Sequence, residues 1–169
     1  MMENEHDTYE ANAFRRHRHD VLNELQLIRG YLQLGQMERA LGVVDRTAGW
    51  LQSLTNWQTS SDSVGEWLMW EAATCPNLLL QKINVTGEPG AEFLTRFAAW
   101  LRRVNDGAAQ QGVRLEISVT LAEASACVRG RSGQPFVVDT DWLKAFPMIA
   151  FDVVDSGNAT EVRGESHVY

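Results

Sequence analysis

The chain has 169 residues, 44% of them hydrophobic, which suits a soluble globular protein of one medium or two small domains. A formal net charge of −7 and a pI near 5.1 argue against a general nucleic-acid or anionic-membrane binder, because neither phosphate nor lipid headgroups would attract it. No apolar run is long enough to cross a bilayer, and the acidic opening MMENEHDTYE lacks the features of a signal peptide, so the expected location is cytoplasmic.

A first helix is expected from between Thr8 and Asn12 to near Leu34, uninterrupted by proline, with Gly35 placed for a left-handed C-cap. Within FRRHRHDVLNELQLIRGYLQL, at about 100° per residue, Phe14, Val21, Leu25, Ile28 and Leu32 share one stripe, with Leu22 at its edge. His19 points roughly 120° away from Leu25, on the polar side with Arg16, Asn23 and Gln26, so its imidazole is expected to face solvent. Such a histidine, flanked by a carboxylate and arginines, is a candidate nucleophile.

Met37 to Thr55 reads as a second helix, with Met37, Ala40, Leu41, Val44, Ala48, Leu51 and Thr55 at three- and four-residue spacing. The short gap between the two makes them an αα-hairpin. Two helices enclose little core, and Leu27, Tyr31 and Leu34 leave further apolar surface on the first. The spacing therefore predicts a homodimer in which two hairpins build a four-helix bundle with one His19 per chain outside; the alternative is that the second half of the same chain covers the hairpin.

The polar run from Gln58 to Ser63 marks the expected boundary between a domain over 1–60 and another over 61–169. Beyond it, Trp67–Cys75 is ambiguous between helix and strand, and Leu79–Thr86 is extended and ends in the turn Gly87-Glu88-Pro89-Gly90. Ala91–Gln111 reads as a helix with Leu94, Phe97, Ala98, Leu101, Val104 and Ala108 on one face. Val113–Leu121 alternates strictly, as a half-buried strand does. Arg129–Gly133 reads as a loop, Phe136–Val138 as a strand and Trp142–Phe146 as a helical turn; Met148–Val154 and Thr160–His167 form an expected hairpin across Asp155-Ser156-Gly157-Asn158. This half is α+β. Cys75 and Cys127 have no second ligand at metal spacing and read as buried thiols, while the six tryptophans serve packing.

Arg18-His19-Asp20, followed by Asn23, Leu25, Gln26, Leu27, Ile28 and Gly30, resembles the phosphoacceptor segment of the sporulation-initiation phosphotransferase B family and, more distantly, the dimerisation segments of citrate- and fumarate-type sensor histidine kinases. The resemblance implies a two-way relay in which His19 takes phosphoryl from the aspartyl phosphate of one response-regulator receiver domain and passes it to the aspartate of another. A neutral imidazole suits this, since a lysine would be protonated and a serine would need a base. Asp20 would orient the ring and favour its developing charge; Asn23 and Gln26 would meet the partner or a transferring oxygen, and Arg16 and Arg18 would offset phosphoryl charge. Mg²⁺ would come with the receiver, so no metal or cofactor is expected of this chain, nor nucleic-acid or membrane partners.

The second half resembles a degenerate histidine-kinase ATP-binding fold. Asn105-Asp106-Gly107-Ala108-Ala109 is faintly similar to an asparagine box and Asp155-Ser156-Gly157-Asn158 to half of an Asp-x-Gly-x-Gly turn, with no room for a lid before Tyr169. The rival readings are a divergent ATP-dependent sensor histidine kinase and a non-catalytic dimeric module that binds a kinase or receiver. His17 and His19 diverge by about 200° on a helix and cannot share a metal. Gly30 to Leu41 looks like a single tetratricopeptide helix pair, which has no second copy on which to stack.

Overall fold

The computed structural model describes residues 3–59 and 63–155 and is α+β, a helical N-terminal region followed by a small mixed four-stranded sheet. Helix α1 (Glu3–Gln33) begins earlier than the expected window of 8–12. Gly35, at φ 70°, ends it in a left-handed conformation that costs glycine little, and the amides of Leu34, Gly35 and Gln36 bond back to Gly30, Leu32 and Tyr31. Helix α2 (Met37–Thr59) follows at once and continues past the expected Thr55.

The stripe expected on α1 is divided, with Val21 and Ile28 turned toward α2 and Phe14, Leu25 and Leu32 turned away. Ala13 is buried and His17, Val21, Glu24, Ile28 and Tyr31 are half-buried on α1, opposite Ala40, Val43, Thr47 and Trp50 of α2. Phe14, Leu22, Leu25 and Leu32 stay exposed, as do Met37, Leu41, Val44 and Leu51. The physical reason lies in Trp50 and Trp57. Each brings about 200 Å² to bury, and both share a row with Val43 and Leu54, so that row turns inward and the Leu41 row is left outside.

The segment Trp67–Cys75 resolves into helix α3 (Ser63–Ala72) and a turn, with Leu68 and Ala72 joining Trp57 in the core. Strand β1 (Leu78–Val85) lies against α2, where Asn56 Nδ2 donates to Leu80 O at 2.7 Å. Helix α4 (Ala91–Gln110) connects β1 to its parallel neighbour β2 (Leu115–Leu121) and buries Phe97, Trp100, Leu101 and Val104 in the same core as Leu115, Ile117, Val119 and Leu121. The alternation that predicts β2 is borne out, one face dry and one wet.

Residues 129–133 are not all loop. Most of them belong to strand β3 (Ala126–Ser132), antiparallel to β2, with Arg129 and Arg131 on the wet face and Val128, Gly130 and Ser132 inside. Gly130 sits where a Cβ would meet Val153 at 3.1 Å and Phe151 at 3.4 Å, so the neighbouring strand fills its inward position. Cys127 is on the wet face and exposed, against the expectation of burial, whereas Cys75 is buried and its thiol is pushed up to about 12 chiefly by that burial.

The expected strand Phe136–Val138 does not form. Phe136 is buried, but the polar groups of Val137 are taken by the Gln111 side chain, which donates to Val137 O at 3.0 Å and accepts from Val137 N at 2.9 Å. Helix α5 (Thr140–Ala145), capped by Asp139, leads to β4 (Ile149–Asp155), which pairs in parallel with β3. The sheet order is β1-β2-β3-β4. Ser156, Gly157, Asn158 and the expected partner strand Thr160–His167 lie outside the described residues.

A polar joint ties the hairpin to the sheet. Arg46 pairs with Glu24 at 2.6 Å, Thr47 Oγ1 also donates to Glu24, and Arg114, just ahead of β2, donates to the carbonyl of Arg46. Burial first, reinforced by the Arg46 charge and opposed by Glu24, brings Arg114 down to about 10.

Candidate functional site

Helix α1 presents three faces. One packs on α2, a second carries the exposed Phe14, Leu22, Leu25 and Leu32, and the third carries Arg16, His19, Asn23, Gln26 and Gly30 at three- and four-residue spacing. The two apolar faces lie about 90° apart, so the direction midway between them is roughly opposite His19. The His19 side chain is 74% exposed, as its position in the pattern predicts.

Two groups approach its ring. The Asn23 amide, one turn along, meets Nδ1 at 3.2 Å, with its nitrogen placed toward the ring. Oδ1 of Asp20 is 3.7 Å from the same nitrogen, too far for a hydrogen bond. Asp20 is itself only 35% exposed, because it lies toward the α2 seam.

The other expected residues divide. Gln26 and Asn23 line an open groove of about 500 Å³ with Leu27, Gly30, Tyr31 and Leu34, so these apolar side chains flank the histidine face. Arg16 lies one turn before His19 and lines a small cavity of about 70 Å³ with Asn12, Ala13, Glu71, Thr74 and Arg102. Arg18 is exposed on the row of Leu22 and Leu25, about 100° from His19. Arg15 is the better-placed second cation, being exposed and four residues before His19; the helical spacing alone carries that signal.

His17 is occupied otherwise. Its Nδ1 is 3.0 Å from the Ala73 carbonyl and its ring stands edge-on to Trp50 at 5.0 Å, so it anchors α1 to α2 and to the end of α3. Among the described residues no group of three or more His, Cys, Asp or Glu side chains is placed to hold a metal. Asn105 is buried in α4, and its Oδ1 accepts from Asn77 N at 3.0 Å, which fixes the start of β1. No helix among the described residues is long and apolar enough to cross a membrane.

Residues 2–54 match the family model described as the SpoOB-type sensor-kinase alpha-helical domain. The helical hairpin is similar to that domain, in agreement with the resemblance of Arg18-His19-Asp20 and the residues after it, and the match points to a module of the sensor-kinase or phosphotransfer kind. No curated protein and no solved structure matches the chain.

Proposed function

We propose that this chain is a phosphorelay phosphotransferase: His19 accepts a phosphoryl group from the aspartyl phosphate of one response-regulator receiver domain and delivers it to the aspartate of another, as in sporulation initiation. The observation that carries the reading is the exposure of His19 on a face turned away from both apolar seams of α1. A nucleophile that must enter another protein's acidic pocket has to project in this way, and a histidine in a packed seam, such as His17, cannot.

The exposed row of Phe14, Leu22, Leu25 and Leu32, continued on α2 by Met37, Leu41, Val44 and Leu51, supports a homodimer. Two hairpins joined along these rows make a four-helix bundle with apolar side chains at the spacing that bundle cores use. His19 then lies on the outside of each half. The groove past Gln26 gives a receiver a partly apolar foothold beside the nucleophile.

The chemistry asks little of this chain beyond position. The receiver supplies Mg²⁺ for the equatorial oxygens, and the transfer is in line between a carboxylate oxygen and an imidazole nitrogen. Arg15 and Arg16, a turn before His19, offset the charge of the arriving group, and Asp20 favours the cationic ring that forms. Incubation with phosphorylated receiver domains is expected to label the wild-type chain and to leave folded His19→Gln unlabelled. Receiver binding without label on either protein would support a non-catalytic module instead, and label acquired from ATP alone would support a kinase.

A further inference from the structure

Asn23 and Asp20 compete for one ring nitrogen, at 3.2 Å and 3.7 Å from His19 Nδ1, and only the first is within hydrogen-bond reach. We propose that Asn23 is the positioning residue that selects the tautomer of His19, a role that rests on the phosphotransfer reading. Asn23 thereby moves from contacting the partner to holding the nucleophile.

A neutral imidazole has one proton for two nitrogens, and the one without it is the nucleophile. A terminal amide offers NH₂ or oxygen to the same neighbour by a half-turn of its last bond. With nitrogen toward the ring, as in the structure, Asn23 donates to Nδ1 and the proton belongs on Nε2, leaving the outer nitrogen without its lone pair. With oxygen toward the ring, Asn23 accepts from Nδ1–H, and Nε2 presents a lone pair to solvent.

In the second arrangement the transfer balances without a base. The Nε2 lone pair forms the N–P bond while the P–O bond to the receiver aspartate breaks, and that electron pair leaves on the carboxylate. The proton stays on Nδ1, held by the Asn23 oxygen, and the ring becomes cationic beside Asp20. Delivery to the next aspartate reverses each step.

The test uses the full chain labelled with ¹⁵N-histidine, with the His19 ring signals assigned by their loss in His19→Gln. At about pH 8.5, where histidine rings are ordinarily neutral, two-bond ¹H–¹⁵N spectra report the tautomer. Asn23→Asp keeps an oxygen at the same reach and no NH₂, so it is expected to raise the Nδ1–H fraction. Asn23→Ala removes both the donor and the acceptor, so it is expected to shift that fraction from the wild-type value and to slow phosphoryl acceptance by about five- to tenfold, the worth of one exposed hydrogen bond, with helical circular dichroism unchanged. A His19 tautomer balance identical in all three proteins overturns the proposal, as does acceptance at the wild-type rate by Asn23→Ala. If no receiver labels even the wild type, the relay reading fails, while the spectra still decide the tautomer role.

Discussion

Removing side chains from the exposed row should dissociate the protein without unfolding it. Leu25 is 53% exposed and Leu41 54% exposed, so about half the surface of each remains to be covered. Full burial of a leucine is worth about 2 kcal/mol, which leaves about 1 kcal/mol for each of these to gain at an interface. A homodimer holds two copies of each, so Leu25→Ala with Leu41→Ala should weaken association by about 4 kcal/mol, or about a thousandfold in Kd. Sedimentation equilibrium over a wide concentration range reads this directly, with circular dichroism confirming that the hairpin persists. A wild-type chain that sediments as a monomer throughout, or a double variant with unchanged Kd, refutes the reasoning.

Glu71 should make stability depend on pH in the opposite sense to an ordinary surface acid. Burial, opposed by Arg102, holds its carboxyl above the ordinary 4.5, so the folded chain binds this proton more tightly than the unfolded one, and the stability it contributes below 4.5 is lost as pH rises through the folded value. Glu71→Gln should therefore raise Tm at about pH 8 and make no difference near pH 4; a gain largest in acid would contradict this. A Cβ at Gly107 would lie 2.0 Å from the Trp142 ring, so Gly107→Ala should cost about 1–3 kcal/mol in urea unfolding, and a smaller side chain at Trp142 should recover part of it. In the native protein a thiol reagent should modify Cys127 quickly and Cys75 only on unfolding, read as label per chain with and without denaturant.

Much of the fold is legible where side chains carry the pattern. Strand β2 could be read because Leu115, Ile117, Val119 and Leu121 mark every inward position. Its neighbour β3 could not, because two of its inward positions are Gly130 and Ser132, which carry no hydrophobic signal, and the space at Gly130 is filled from β4. Phe136–Val138 has the composition of a strand, yet its hydrogen bonds go to Gln111, a pairing that no local pattern encodes. On α2 the rows through Leu41 and through Trp50 share the same spacing, so periodicity identifies two stripes without saying which one faces α1.

The site was legible to a similar depth. The helical angle of His19 relative to Leu25 gives its exposure, and the i,i+4 spacing brings Asn23 to its ring. The spacing does not rank Asn23 against Asp20 for Nδ1, because that depends on Asp20 leaning toward the α2 seam. It also favours Arg15 over Arg18 as a neighbour of His19, and there the sequence motif and the helix geometry pull apart.

The central claim is tested most directly by a two-step transfer with purified proteins. The chain is first labelled from one phosphorylated receiver, freed of it, and then mixed with a second, unphosphorylated receiver in the presence of Mg²⁺. The account predicts acid-labile, base-stable phosphate on His19 after the first step and its movement to the second receiver after the other, with His19→Gln inert in both. Label that persists in His19→Gln, or an intact wild-type chain that binds receivers and never acquires phosphate, would contradict it.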